Sequence, residues 1–154
     1  YASAKNLDIG FEYARVEPYT FSHFNRQNTV SHDGKLIGSI LLPNSDRFLL
    51  TLKYWWGERY PVELGISYLR YGANIYDGDS LIYNAGGDPF QTRRWFDPME
   101  VGFLTGKVER NFSASISMGY EIFRNFYVLG YFRHSNINGN VRPYARLILK
   151  FGDF

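Results

Sequence analysis

Two groups of charged and ring-bearing residues have the composition of a ligand site. The first gathers Arg15, Glu17, Tyr19 and His23 with Asn44, Ser45 and Asp46 beyond a polar stretch. Asn and Asp side chains can meet paired hydroxyls with two polar atoms at once. The neighbouring rings of Tyr19, Phe21 and Phe24 would cover the apolar face of a sugar. The second group is Arg93-Arg94-Trp95, whose guanidinium forks suit phosphate or carboxylate, as on lipopolysaccharide or an acidic capsule. Plainer readings stand beside both. Asn44-Ser45-Asp46 can be a loop-folding Asx motif, and the two arginines a solvated pair. Arg15, Glu17, Asp46, Arg47, Lys53 and Glu63 can form an ion-pair network plugging an interior, because buried charges must be paired.

Other chemistry finds less support. No His-Glu-x-x-His, Gly-x-Ser-x-Gly or Walker pattern occurs. The absence of Cys removes disulfides and thiolate metal sites. Asp77, Asp79 and Asp88 fall short of the ligand set of a calcium loop. A Ser–His–acid grouping around His23 or His134 has no spacing behind it. The expectation is therefore no catalytic residue, no metal and no cofactor. A net charge of +2 without a basic stripe leaves no nucleic-acid footprint.

The elements that would position these residues are strands. From Asp46 to Tyr71, Phe48, Leu50, Leu52, Tyr54 and Trp56 share one face and Arg47, Leu49, Thr51, Lys53 and Trp55 the other. A turn at 57–60 follows, then Val62, Leu64, Ile66 and Tyr68 against Glu63, Gly65, Ser67 and Leu69. Alternation with period two predicts a hairpin with one apolar face. Rings crowd both ends of that face. Its eight-residue span from Phe48 to Trp56 covers roughly 26 Å along the strand, or roughly 20 Å of height when tilted by about 40°. That approaches the ~25 Å apolar band of a membrane barrel, with aromatic belts at its rims. The stretch 112–122 is clearer still: Phe112, Ala114, Ile116, Met118, Tyr120 and Ile122 oppose Ser113, Ser115, Ser117, Gly119 and Glu121. A small, nearly uncharged second face suits a crowded barrel interior better than a solvated surface.

Six strands are expected: 7–21, 46–56, 61–71, 101–122, 126–133 and 141–151. Long loops at 23–45, 72–98 and 134–140 fall at one end, with short turns at 57–60 and 123–125 at the other. The loop 72–98 receives no regular element. Closed membrane barrels start at eight strands and an open edge cannot face lipid, so two strands hide in the loops (29–42 being the best candidate) or the chain belongs to a larger barrel. A mean hydropathy of −0.31 is compatible with this, since inward polar residues dilute a barrel's average. With Tyr at position 1, the chain reads as trimmed, and a missing leader argues for no compartment. The fold class expected is all-β: an antiparallel transmembrane β-barrel of the outer membrane, or the C-terminal strands of a larger one, with residues 1–154 as one domain.

Glu12-Tyr13-Ala14-Arg15-Val16-Glu17-Pro18-Tyr19-Thr20, His23, Leu36-Ile37-Gly38 and Pro43-Asn44-Ser45-Asp46 resemble a motif region of the Wzi-type capsule-assembly outer-membrane proteins. The segment 103–110, FLTGKVER, is also similar, although Leu42 stands where that family usually has Gly. The resemblance implies a non-enzymatic β-barrel that binds, attaches or assembles surface polysaccharide. Its partners would be outer-membrane lipid, lipopolysaccharide, surface polysaccharide and other outer-membrane or periplasmic subunits. Two alternatives are a porin or structural subunit of a larger outer-membrane complex, and a small-barrel enzyme acting on lipid A or phospholipid.

Overall fold

The computed structural model describes residues 2–4, 6–22, 31–32, 35–36 and 40–152. Among these residues there is no helix. Eleven strands follow in order: β1 (Ala2–Ala4), β2 (Leu7–Val16), β3 (Ser31–His32), β4 (Lys35–Leu36), β5 (Ser45–Trp56), β6 (Tyr60–Ala73), β7 (Ile75–Asp77), β8 (Ser80–Tyr83), β9 (Lys107–Phe123), β10 (Phe126–Ile137) and β11 (Asn140–Phe151). Seven of them form one antiparallel sheet in the order β1-β2-β5-β6-β9-β10-β11. The sheet does not close into a barrel: β1 and β11 are its edges. The pairs β3–β4 and β7–β8 are separate two-stranded ribbons.

The chain divides into two units: Tyr1–Tyr13, Phe48–Tyr68 and Asn111–Phe154 in the first, Ala14–Arg47 and Leu69–Arg110 in the second. In the first unit the register follows the sequence alternation. Ile116 pairs with Phe132 and Phe132 with Ala145; Met118 pairs with Gly130 and Gly130 with Leu147. On the opposite face Ser113 pairs with Ser135, and Ser117 with Tyr131. The covered face is the polar one. Ser113 and Ser135 are buried, whereas Phe112, Met118, Tyr120 and Ile122 are exposed. Ile9, Phe11, Leu64, Ile66, Leu147 and Leu149 are exposed likewise, with Phe11 at 66% and Leu147 at 74%. Rings meet near the short turns: Tyr60 and Tyr120 lie 5.2 Å apart, and Phe123 stacks on Phe126 at 4.7 Å. Trp55 meets Tyr127 edge-on at 6.1 Å, and Tyr127 and Leu129 are the buried apolar residues on the polar side of β10.

Several boundaries differ from the sequence expectation. The first long strand ends at Val16, because Pro18–Phe21 is a turn in which Tyr19 and Phe21 take φ of 61° and 70°. No extended strand passes through that left-handed region. Residues 101–106 are irregular, with a turn at 103–104 and Leu104 at φ 59°, so the third hairpin's first strand starts at Lys107. The stretch 72–98 contains the β7–β8 hairpin, reversed at Gly78-Asp79. The expected loop 134–140 is a tight turn: β10 runs to Ile137, and Asn138-Gly139 reverse the chain with φ of 50° and 89°. Positive φ at both central residues is the type I′ geometry that matches strand twist, which Asn-Gly adopts with little strain. Only two connections therefore remain long. Within 29–42, Ser31–His32 pairs with Lys35–Leu36 as its own ribbon and adds nothing to the main sheet. The seventh strand is β1, set against β2 with Ala2 opposite Ile9.

Candidate functional site

The second unit is organised around Asn44. Its side chain is fully buried at φ 57°, and Nδ2 reaches the carbonyls of Gly72 (2.8 Å), Thr105 (2.9 Å) and Ala85 (3.2 Å). Its Oδ1 accepts from Leu104 N at 2.6 Å, and its backbone joins Glu17 O and Gly72 N. One amide thus ties together three stretches of chain, around Gly72, Ala85 and Leu104-Thr105, by satisfying their backbone groups. Gly72 must lack a side chain there, since a Cβ would lie 2.2 Å from Asn44 Nδ2. Asp46, also fully buried, receives both Nε and Nη2 of Arg70 in a bidentate pair, with Nε at 2.9 Å. Ser45 Oγ donates to Leu42 O at 2.6 Å.

Of the remaining predicted residues of this unit, Arg15 lies near the end of β2 and the others lie on the loops. Arg15 pairs with Glu17 at 2.7 Å and lies 3.8 Å over the Phe103 ring. Tyr19 donates its hydroxyl to Asn84 O at 2.9 Å, and Arg93 sits 4.4 Å over its ring. Arg93 also donates to Pro98 O at 2.7 Å. Arg94 holds Asp97 by its backbone N (2.7 Å) and Nε (2.9 Å), and reaches Leu81 O at 2.8 Å. Asn84 completes the set, donating to Asp97 Oδ2 at 2.8 Å. Trp95 is 89% exposed and edge-on to Phe96, 5.4 Å away.

Electrostatics follow from these contacts. Burial pushes the Asp97 carboxyl upward, but the hydrogen bonds from Arg94 and Asn84 outweigh it and hold the group below its ordinary value. Burial, followed by the charge of Asp97, raises the Tyr19 phenol. The arginines are therefore spent largely on the protein itself. Asn44 and Asp46 offer no atom to the outside, while Trp95 and Phe96 present bare ring surface held in place by the Arg94–Asp97 clamp.

His23 lies outside the described residues. In the first unit, Lys53 and Glu63 pair at 3.7 Å on half-exposed side chains, which is one link of the anticipated ion network. His134 sits opposite Ala114 and Pro143, on the face away from Ser113 and Ser135. Among the described residues no group of three or more His, Asp or Glu side chains is placed to hold a metal. Arg70, Phe103, Asn84 and Asp97 escaped the sequence reading. Their one local signal was Asp97-Pro98, a turn dipeptide, three residues after Arg94. Comparison with known proteins returns no match: no family model, no curated protein and no solved structure is similar to this chain.

Proposed function

We propose that this sheet is part of the wall of an outer-membrane β-barrel and that the loops of the second unit bind surface polysaccharide without altering it. The observation that carries the membrane half is the inverted burial of β9. Phe112, Met118, Tyr120 and Ile122 are exposed, while Ser113 is buried and Ser115 and Ser117 are half-buried. A water-soluble domain of this length would bury its large aliphatics. Here Leu41, Ala85, Tyr127 and Leu129 are the buried apolar residues, against eight buried polar ones, among the described residues. Acyl chains are the solvent that favours such a face. The open edges at β1 and β11 are then where further wall strands, from this polypeptide or from other subunits, complete the hydrogen bonding that lipid cannot supply.

The glycan half rests on the hydrogen-bonded loop network, on the exposed rings of Trp95 and Phe96, and on the resemblance of residues 12–46 and 103–110 to capsule-assembly barrels. Rings against sugar faces and fixed polar groups against hydroxyls are what a non-catalytic glycan site requires. The test has two arms. The chain should aggregate in plain buffer and melt cooperatively in detergent micelles; a well-behaved monomer without detergent overturns the membrane assignment. In micelles, the protein should be retained on immobilised capsular polysaccharide and lose retention with Trp95→Ala. Unchanged retention, or none in the parent protein, counts against glycan binding by this loop. Steady ion conductance in a planar bilayer, insensitive to added glycan, would favour the porin reading.

A further inference from the structure

The same unit holds a cavity whose lining does not include Trp95. It has a volume of about 340 Å³ and is lined by Tyr71 of β6, Asn74, Tyr76 of β7, Asp88, and Lys107 and Glu109 of β9. That is at the small end of ligand pockets, which run from ~300 to 1,000 Å³. Its polar groups are under-used. Asn74 is 5% exposed; its Oδ1 accepts from Ala85 N at 2.8 Å, which fixes the amide, yet its Nδ2 has no hydrogen-bond partner among the described residues. A buried donor without an acceptor costs about 1–3 kcal/mol and asks for an explanation. The side chains of Lys107 and Glu109 form no hydrogen bond or ion pair among the described residues, whereas Glu17, Asp46, Arg94 and Asp97 of the same unit are each engaged with a partner. Asp88 is oriented by Phe90 N, which donates to its Oδ1 at 2.8 Å. Tyr71 is anchored through its hydroxyl to Gly87 O at 3.1 Å, and Tyr76 is exposed beside it.

We infer that this cavity holds one neutral pyranose unit of a polysaccharide, an inference that rests on the glycan reading above. The Tyr71 and Tyr76 rings provide the apolar surface. Glu109 and Asp88 accept from ring hydroxyls, while Lys107 and Asn74 donate to hydroxyl or acetamido oxygen. The charge balance sets the sugar class: two carboxylates against one ammonium disfavour a uronate and suit an uncharged or N-acetylated hexose. The size suits a sugar ring better than an extended acyl chain.

The test uses the full chain in detergent micelles with methyl glucoside, methyl N-acetylglucosaminide and methyl glucuronide, read by saturation-transfer NMR and competition. The two neutral glycosides should bind, and the glucuronide at least tenfold more weakly. Tyr76→Ala and Glu109→Gln, both on side chains without structural bonds among the described residues, should each weaken binding tenfold or more at unchanged melting temperature. Neutral glycosides that bind the parent and both variants alike overturn this site, as does a parent that binds none of them. Immobilised polysaccharide separates the two ideas. Retention that survives both variants and fails with Trp95→Ala leaves the broader glycan reading standing and removes this cavity from it. Absence of retention in the parent removes the broader reading, whatever the glycosides do.

Discussion

Asn44 fills a position that an amide suits better than any other side chain. It must donate to carbonyls and accept from an amide N–H within one buried spot, at a backbone φ that Asn tolerates better than most residues. Asn44→Ala strands several buried backbone groups, each costing about 1–3 kcal/mol. The expected loss is about 3 kcal/mol or more, read from denaturant melts in detergent; a loss below 1 kcal/mol would mean that water replaces the amide. Asp97 carries a pH dependence whose sign follows from its hydrogen bonds. The folded carboxyl titrates below the unfolded one, so the unfolded chain binds the proton more readily. Its contribution is complete above about pH 4, where the unfolded group is ionised, and is lost as pH falls through the lowered folded value. Protease nicking of the loop around residues 93–98 should therefore rise on acidification below pH 4, and Asp97→Asn should flatten that response. Neither residue's partners could be read beforehand. Asn44 meets Gly72, Ala85 and Thr105 at separations of 28, 41 and 61 residues, and no local pattern encodes such distances.

At the level of elements, period-two alternation located the long strands well, because a pleated strand places every second side chain on one face whatever it pairs with. The hairpin 46–71 and the cores of the strands expected at 101–122 and 126–133 come from that signal, whereas the expected long loop 134–140 is a tight Asn138-Gly139 turn, a dipeptide with one favoured hairpin geometry. Alternation failed where a backbone special intervened. Tyr19 and Phe21 keep an apolar rhythm through a turn, and 75–83 hides a short hairpin in turn-rich composition. Alternation also leaves open which face meets solvent, and that choice can be tested on one strand. Met118→Lys, on the exposed apolar face of β9, should cost about 2–4 kcal/mol near a bilayer midplane. Ser117→Lys, one residue away on the polar face, should cost much less. Equilibrium folding into lipid vesicles compares the two. Equal penalties, or a larger one at Ser117, would place the apolar face against protein.

For the molecule as a whole, the seven-stranded sheet has a geometric consequence. Strand direction alternates from β1 to β11, so the two edges run the same way and cannot pair with each other in an antiparallel ladder. An antiparallel closure takes an odd number of further strands. The exposed edge of β11 should report this: in micelles of the chain alone, amides of β11 not bonded to β10 should exchange within minutes, while those of β9 and β10 exchange far more slowly. Uniform protection across β11 would show that its outer edge is paired, by another copy or by rearrangement. The sequence by itself determined the all-β class, most strand positions and the separation of an apolar from a serine-rich face, because those depend on a two-residue repeat and on local turn chemistry. Tertiary structure alone decided how far each residue of the serine-rich face is covered, that Asn44, Asn84 and Asp97 tie the loops while Arg70 pairs with Asp46 between β6 and β5, that Asn74 lies buried with a spare donor in a cavity also lined by Glu109, and that the sheet stays open. Those outcomes depend on contacts between residues tens of positions apart, and chain closure over such distances leaves no periodic trace in the order of the amino acids.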